Sequence, residues 1–255
     1  MLSIERQRNI SDFLKEDGNV KVSELSKKLN VSEETIRRDL KVLEKKGLLH
    51  RIHGGGISFN HVRIEPYYKA KMYLNIIQKQ KIAFEAAKII EEGDTIIIDS
   101  STTSFYLAKE IRKKQNITIV TNCLLNIQEL AGFKNITILL TGGLFNNSSY
   151  SSIGPIAEDF IKKIHVDYTF ISTKAISIES GLMEGDINNI AIKRCMIDAG
   201  NKIILLADSS KFNNKSFFQL VPLSIINTVI VDNDIDQELV EKIKQIVSEV
   251  IIAGR

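Results

Sequence analysis

Three short polar segments have the composition of phosphate-binding loops. Asp99-Ser100-Ser101-Thr102-Thr103 follows an apolar, β-branched run and precedes a helical pattern, so its hydroxyl groups and the first free N–H groups of the helix can hold anionic oxygens. Thr121-Asn122 follows a second apolar run, and Thr141-Gly142-Gly143 follows a third, where the glycines allow the backbone to approach a ligand. Each segment alone is equally compatible with an ordinary helix cap or turn.

Two lysines add positive charge near these segments. Lys193 lies early in a helical pattern that follows residues 185–189, and Lys211 follows a buried strand pattern within the segment Asp208-Ser209-Ser210-Lys211. An ammonium group in either place can pair with a phosphoryl group, and a solvent-exposed lysine fits the sequence equally well. We expect no cofactor and no metal site, because the four His residues lack ligand spacing with acids or Cys.

Alternating strand and helix patterns position these segments from residue 93 onward. We predict strands at 95–99, 117–121, 136–140, 168–171, 203–206, 228–231 and 250–252 and helices at 102–114, 124–131, 156–164, 191–199 and 237–247, with one further helix at 78–91 before the first strand. Continuous β-branched strands separated by helices are typical of a parallel sheet that is covered on both faces. Such sheets bind ligands at the carboxyl ends of their strands, which is where the polar segments fall.

A second chemical pattern lies near the N-terminus, in residues 31–47. Ser32 can cap a helix, Glu33 and Glu34 suit its positive end, and Gly47 can end it. Apolar side chains at 36, 40 and 43 share one face of this helix, and that spacing turns a cationic face outward. The outward side chains are Thr35, Arg37, Arg38 and Lys41. Arginines in this position can contact bases or phosphates in the DNA major groove.

The flanking residues predict a winged helix-turn-helix. A short helix at 22–29 is separated from the cationic helix by a tight turn, and a third helix at 4–16 closes a small core. Residues 48–57 predict a two-stranded wing, which carries the basic side chains of Arg51 and His53. The alternative is a small helical packing module whose cationic face is only solvated.

Residues 32–40, 47–49 and 51–55 resemble the winged helix of the DeoR family of bacterial transcriptional regulators, nearly residue for residue. The order Asp-Ser-x-Thr-Thr, Thr-Asn, Gly-Gly, Lys-Arg and Asp-Ser-Ser-Lys-Phe resembles the sensor domain of the same family. The resemblance implies that residues 20–39 bind DNA. It also implies a mostly parallel α/β sensor domain, similar to ribose-5-phosphate isomerases, that binds a phosphorylated sugar or polyol without turnover.

The sequence departs from the family pattern at three places in the expected sensor site. Ser101 replaces a glycine, Lys174 lies in a stretch that differs from the usual one, and Asn188-Asn189 replaces an acidic pair. Lys174 adds a positive charge, and the Asn pair removes two negative charges. We therefore expect a more cationic pocket and an altered or more anionic effector.

The charge distribution supports a division into a DNA-binding domain at 1–58, a basic linker at 59–77 and an effector-binding α/β domain at 78–255. The net charge is +3 for residues 1–58, +4 for 59–82 and −4 for the remainder. The linker is either plainly solvated or also touches phosphate or a sister subunit. A uniformly basic nucleic-acid coat protein would not show this asymmetry.

Several classes of protein are excluded by simple patterns. Charged residues from Glu5 onward leave no apolar region for a secretory signal, and no apolar run approaches the length of a membrane span. We therefore expect a soluble, cytoplasmic protein without a membrane partner. Cys123 and Cys195 lie far apart, which favours buried free thiols over a disulfide or a zinc site.

These observations predict a sequence-specific regulator, most simply a repressor of a carbohydrate operon that a phosphorylated sugar or polyol releases. Its partner is a double-stranded DNA operator, and we expect a homo-oligomer, dimer or tetramer, because one winged helix buries too little surface for tight specific binding. One alternative is a sugar-phosphate isomerase with an attached DNA-binding head, for which Asp99 and Asp208 would be candidate bases. Another is an activator of the same architecture.

The predicted site residues fall into two sets. The DNA-binding set is Ser32, Thr35, Arg37, Arg38, Lys41, Arg51 and His53. The effector-binding set is Asp99, Ser100, Ser101, Thr102, Thr103, Thr121, Asn122, Gly142, Gly143, Lys174, Lys193 and Lys211.

Overall fold

The computed structural model of the chain describes residues 3–17, 19–45, 49–52, 54–58, 68 and 71–254. The chain divides into two compact units, Met1–Leu74 and Asn75–Arg255, which we call the N-terminal and C-terminal units. His53 and residues 59–67 of the predicted linker lie outside the described residues.

The N-terminal unit contains three helices and a small antiparallel sheet within its described residues. The helices are α1 (Ser3–Asp17), α2 (Val22–Leu29) and α3 (Glu33–Lys45), and the strands are β1 (Asn19–Lys21), β2 (Leu49–Ile52) and β3 (Gly55–Ser58). The sheet order is β1-β3-β2, so the predicted two-stranded wing has gained β1 as a third strand. Gly55 is required at the β1–β3 contact, because a Cβ there would lie 2.0 Å from the carbonyl oxygen of Val20.

The predicted apolar faces meet in the core of this unit. Ile36, Leu40 and Leu43 of α3 are buried against Ile10 and Leu14 of α1, together with apolar side chains of α2 and β2. The turn between α2 and α3 is fixed by Asn30, which adopts the left-handed conformation with φ 51°. This arrangement confirms the predicted helix-turn-helix.

A buried ion pair joins α1 to α3 in the same unit. The Arg6 Nε donates to Asp39 Oδ2 at 2.5 Å, and Gln7 Nε2 donates to the other carboxylate oxygen at 3.1 Å. Both charged side chains are buried and have lost most of their contact with water, so each charge is stabilised by the other instead. The pair therefore fixes the orientation of α3 relative to α1.

The C-terminal unit is built on a parallel sheet of seven strands in the order β15-β14-β12-β9-β4-β5-β6. These strands are β4 (Thr95–Ile98), β5 (Ile117–Thr121), β6 (Ile136–Leu140), β9 (Val166–Ile171), β12 (Gly200–Ala207), β14 (Thr228–Asp232) and β15 (Glu249–Ala253). Ile96, Ile97 and Ile98 point alternately to the two faces and are all fully buried, so helices cover the sheet on both sides. The predicted parallel α/β architecture is confirmed.

The helices of this unit begin and end close to the predicted residues. They are α4 (Ile76–Ile89), α5 (Thr102–Glu110), α6 (Leu124–Leu130), α7 (Pro155–Ile161), α8 (Ile187–Ala199) and α9 (Gln237–Lys244). The predicted helix at 102–114 ends early, because residues 111–113 form a 3₁₀ turn, and α8 begins four residues before the predicted 191. Among the described residues, no helix is long and apolar enough to span a membrane.

Five short strands of the C-terminal unit were not predicted. β7 (Leu144–Asn146) and β8 (Ser151–Ile153) form a hairpin, and β10 (Ala175–Ser177), β11 (Gly181–Glu184) and β13 (Phe218–Val221) form an antiparallel sheet in the order β10-β11-β13. Strands of three or four residues lack a readable alternation of polar and apolar positions. The antiparallel sheet packs against the apolar cluster beneath β12 and β14.

We predict that Asp39→Asn destabilises the N-terminal unit by about 3 kcal/mol, because the buried Arg6 guanidinium loses its carboxylate. In a unit of this size, such a loss lowers the melting temperature by more than about 10 °C, measured by calorimetry on the full chain. Lys21→Ala is the control, because it removes an exposed pair with Glu24 worth less than about 1 kcal/mol. Equal melting temperatures for the two variants would contradict the assigned role of Asp39.

Candidate functional site

The outer face of α3 presents a row of polar and cationic side chains to solvent. The Ser32 Oγ accepts the backbone N–H of Thr35 at 3.3 Å and lies 2.9 Å from the Thr35 hydroxyl, so Ser32 caps the helix as predicted. Arg37, Arg38 and Lys41 are exposed on the side opposite the core. The first two turns of α3 therefore combine a positive helix end with two guanidinium groups.

Both arginines pair with acids one turn earlier on the same helix. Arg37 contacts Glu33 at 2.7 Å and Arg38 contacts Glu34 at 3.4 Å. Exposed pairs of this kind contribute only about 0.3 to 0.5 kcal/mol each, so a phosphate can take the arginines at low cost. The acids thus hold the guanidinium groups along the face without burying them.

The wing contributes one described basic side chain. Arg51 on β2 is exposed, and its Nε lies 3.1 Å from Glu44 Oε2 near the end of α3. The backbone N–H of Arg51 also donates to Glu44 at 2.9 Å, which ties β2 to α3. The wing is therefore anchored to the same helix that carries the arginines.

In the C-terminal unit, Asp99 lies at the carboxyl end of β4 and is buried. Its carboxylate accepts the Ser101 N–H at 3.0 Å, the Ser104 hydroxyl at 2.5 Å and the Ser172 N–H at 3.0 Å. Burial raises the pKa of Asp99, but the charge of Lys193 and these hydrogen bonds outweigh burial, so the pKa lies below the ordinary Asp value. Asp99 is therefore a fixed negative charge that organises the loop behind it.

Lys193 on α8 lies between two carboxylates. Its Nζ is 2.5 Å from Glu184 Oε1, the last residue of β11, and 3.3 Å from Asp99 Oδ2, and it donates to the Ser172 carbonyl at 2.5 Å. Burial lowers the pKa of Lys193, but the negative charges of Glu184 and Asp99 raise it by more. The pKa therefore lies above the ordinary Lys value, and the ammonium remains charged. The sequence analysis left Lys193 open as a partner of a phosphoryl group or a solvent-exposed lysine, and in the structure two carboxylates already balance its charge.

Lys211 reaches the same region from the loop after β12. Its Nζ donates to the Ser172 hydroxyl at 2.5 Å, and that hydroxyl donates to the Leu206 carbonyl at 2.6 Å. Lys211 is only partly buried. Lys193, by contrast, is buried.

The loop from Ser100 to Thr103 leads into the N-terminus of α5. Ser101 is the N-cap, and its Oγ accepts the Ser104 N–H at 3.0 Å, so the residue that replaces the family glycine occupies one of the free donors. The backbone N–H groups of Thr102 and Thr103 have no acceptor among the described residues, and the buried Thr103 hydroxyl has no hydrogen-bond partner there. These donors are available to an anionic group, as the sequence suggested for this loop.

The next strand end is built around Thr121 and Asn122. The Thr121 hydroxyl donates to the Ile98 carbonyl at 2.8 Å and accepts from Asn126 Nδ2, which also donates to the Asp99 carbonyl at 2.9 Å. Asn122 Nδ2 donates to the Ser152 carbonyl of the β7–β8 hairpin at 2.9 Å. The side-chain carbonyls of Asn122 and Asn126 are buried without a donor among the described residues.

Gly142 and Gly143 lie just beyond β6 and both have positive φ, 66° and 109°. A Cβ at Gly143 would lie 2.8 Å from the carbonyl oxygen of Ile153, so glycine is needed where the hairpin folds back. At Gly142, by contrast, the space around a Cβ is open.

Lys174 is exposed and lies beside Gly185. A Cβ placed on Gly185 would lie 3.0 Å from the Lys174 Nζ. Asn188 is exposed as well, and its Nδ2 donates to Asp186, the N-cap of α8. Lys174 and Asn188 are thus exposed, whereas Asp99 and Lys193 are buried.

A second acidic residue, Asp208, follows β12. It accepts Asn75 Nδ2 at 2.9 Å and the Ser210 hydroxyl, and the Ser210 hydroxyl also accepts from Asn75 at 3.1 Å. Burial raises the pKa of Asp208, but Lys211, these hydrogen bonds and Lys79 lower it more, so the pKa lies below the ordinary Asp value. Asp208 thus links the Lys211 loop to the first residue of the C-terminal unit.

The sequence analysis missed three residues that complete the buried cluster, namely Glu184, Ser104 and Ser172. Glu184 precedes Gly185-Asp186 in the sequence, and an acid at that point, just before the helix of Lys193, was the available signal. Ser104 is one helical turn beyond Ser101, at the spacing of an N-cap contact. Ser172 follows a buried strand in the same way as Asp99, and this position in the sheet could have identified it.

Two regions of this chain match the two domains of one family. Residues 6–62 match the DeoR-like helix-turn-helix domain, and residues 74–233 match the DeoR C terminal sensor domain. The second match alone covers more than half of the chain.

Full-length relatives agree with these matches. An uncharacterized HTH-type transcriptional regulator, YulB of Bacillus subtilis, is 37% identical over 96% of this chain and 94% of its own length. An L-fucose operon activator of Haemophilus influenzae is 33% identical over 92% and 94%, and the transcriptional repressor AccR of Agrobacterium fabrum is 30% identical over 90% and 89%.

Ribose-5-phosphate isomerases are distant fold matches. The enzyme from Methanocaldococcus jannaschii is 15% identical, covers 54% of this chain and 55% of its own, and has a TM-score of 0.41. From the two domain matches and the full-length relatives, we conclude that this chain belongs to the DeoR family of DNA-binding transcriptional regulators.

Proposed function

We propose that this regulator represses a carbohydrate operon and that a phosphorylated sugar or polyol relieves the repression. The observation that carries the proposal is the presence of two surfaces in one chain. One unit presents the exposed arginine face of α3, and the other presents unoccupied N–H groups at the α5 N-terminus together with Lys211, which contacts Ser172 at a neighbouring strand end. The first surface suits DNA, and the second suits a phosphoryl group.

In the proposed DNA complex, α3 enters the major groove with Arg37, Arg38 and Lys41 toward bases and phosphates. Ser32 and Thr35 at the capped end, Arg51 on the wing and His53 contact the backbone or the groove edges. The guanidinium groups exchange their exposed pairs with Glu33 and Glu34 for phosphates, which costs little.

Two heads are needed for tight binding. A single winged helix buries too little surface for the affinity of a specific regulator, and symmetric pairs read repeated half-sites. The proposal therefore includes a homo-oligomer, a dimer or a tetramer, that works in the cytoplasm, where the chromosomal operator is accessible.

The proposed effector binds with its phosphate at Thr102 and Thr103. Two backbone N–H groups and the orphan Thr103 hydroxyl supply donors, and Lys211 supplies the opposite charge. Its hydroxyl groups then face Thr121, Asn122 and the Gly142-Gly143 turn. The effector can shift the equilibrium between the DNA-binding and released arrangements only by as much as its affinities for the two arrangements differ.

The proposal does not include catalysis. A sugar-phosphate isomerase needs a carboxylate base whose pKa lies near the working pH. The two candidate bases, Asp99 and Asp208, are held charged by lysines and hydrogen bonds, and their pKa values lie below the ordinary Asp value. A turnover assay with pentose and hexose phosphates tests this, and measurable isomerisation would overturn the binding-only role.

An activator of the same architecture is the second candidate, since one relative is named as an operon activator. The position of the operator separates the two roles. A site that overlaps the promoter favours repression, and a site upstream of it favours activation.

We predict that Arg37→Ala combined with Arg38→Ala abolishes specific operator binding at physiological salt. The measurement is fluorescence anisotropy on a DNA fragment that the wild-type protein binds specifically. Both side chains are exposed, so the melting temperature should change little. Lys162→Ala with Lys163→Ala is the control, because it removes two exposed charges from the C-terminal unit. Retained affinity in the arginine variant would refute the assignment of α3.

We predict that one phosphorylated sugar or polyol in a thermal-melt panel stabilises the full chain. A ligand at about 100 times its dissociation constant adds about 2.7 kcal/mol, which raises the melting temperature by a few degrees. The unphosphorylated counterparts serve as controls and should have no effect. A flat panel would contradict the proposed effector class.

We predict that Ser101→Gly strengthens phosphate binding about tenfold, or about 1.4 kcal/mol, because the Ser104 N–H is released to the ligand. Titrations with inorganic phosphate and with the hits of the panel measure the change. Ser101→Thr is the matched control, because it keeps the capping hydroxyl. Equal affinities for the two variants would show that the cap does not compete with the ligand.

A further inference from the structure

Residues 135–157 contain no Asp, Glu, Lys, Arg or His, in a chain in which 25% of residues are charged. This segment comprises β6, the β7–β8 hairpin and the start of α7. Its exposed apolar side chains are Leu139, Leu140, Leu144, Phe145 and Ile156. Leu144 and Ile156 are each 70% exposed. We call this region the uncharged surface.

The segment is packed as one piece. Leu144 pairs with Ile153 across the hairpin, and Gly143 lies against Ala157 at the start of α7. The hairpin and the start of α7 are therefore neighbours in the fold, and β6 leads into the hairpin through residues 141–143. Patches of exposed apolar side chains mark interaction sites.

β6 is also an edge strand of the parallel sheet. It pairs with β5 on one side and has no strand on the other among residues 75–254, all of which are described. Proteins protect such edges with charged side chains, proline or bulges. β6 instead has Ile138, Leu139 and Leu140 in succession, without a charge.

The opposite edge of the sheet is treated differently. β15 begins with Glu249, and its apolar residues 250–252 are only partly exposed. Gly254, just after the strand, lies against Lys81. The lack of protection is therefore specific to β6 and is not a general property of this sheet.

We propose that the uncharged surface is the contact between two copies of this chain. In a two-fold contact the same patch meets itself, and a patch without charges does so with neither like-charge repulsion nor a buried unpaired charge. The cores of protein interfaces are depleted of charged residues in the same way. A nucleic acid or a charged protein partner would require opposite charges, which this surface lacks.

That the partner is a second copy of this chain rests on the proposed homo-oligomer. The choice of this surface rests on β6 and the hairpin alone. It also gives the hairpin a structural role. Asn122 at the expected effector site donates to Ser152 of β8, so the contact between copies lies one hydrogen bond from that site.

The test is the mass of the full chain in solution, measured by light scattering after size exclusion. The wild-type protein should be at least a dimer of 28.7 kDa chains. Leu144→Lys places a buried charge on each side of the contact and should weaken association at least tenfold, and Leu140→Lys should do the same. Each replaced side chain is exposed within its own chain, so both variants should keep the wild-type circular dichroism spectrum.

Ile225→Lys is the matched control, because Ile225 is an exposed apolar residue on the same unit. It precedes β14, which lies five strands from β6 and so about 24 Å away, and it should leave the mass unchanged. A wild-type mass retained by Leu144→Lys and Leu140→Lys would overturn the surface and leave the homo-oligomer intact. A monomeric wild-type protein would overturn both, while operator binding by the arginine variants still tests the DNA-binding role separately.

Discussion

The C-terminal unit depends on one buried ammonium group. Lys193 of α8 contacts Asp99 at the end of β4, Glu184 at the end of β11 and the carbonyl of Ser172 after β9. Three segments that are distant in sequence therefore meet at a single charge. Two carboxylates buried together would repel one another, so the parallel sheet and the small antiparallel sheet can close on each other only with this lysine in place.

The sequence revealed the parallel sheet because its strands are long enough to show their pattern. Runs such as residues 96–98 are apolar throughout, which is typical of a strand buried on both faces. The strands at 175–177 and 181–184 were missed, since their pairing is set by contacts across the fold and by the tight turn at Gly181, not by a local period. Strand length and depth of burial determined which elements could be predicted.

The residues of the candidate site also differed in how readily the sequence revealed them. Asp99, Ser101 and Lys193 could be singled out because strand ends and helix starts are visible in sequence, and the structure buries Asp99 and Lys193. Their partners were harder to find, because a long lysine side chain can reach several strands. Glu184 was thus overlooked, and Ser101 was expected to line a loop, whereas it caps α5.

Asn75 gives the C-terminal unit a fixed starting point. It is the first residue of that unit, adopts a left-handed conformation with φ 50°, and donates to both Asp208 and Ser210. The chain is thus anchored to the Lys211 loop at the residue where the unit begins. Insertions or deletions before Asn75 would therefore change the length of the connector without moving the point at which the C-terminal unit is anchored.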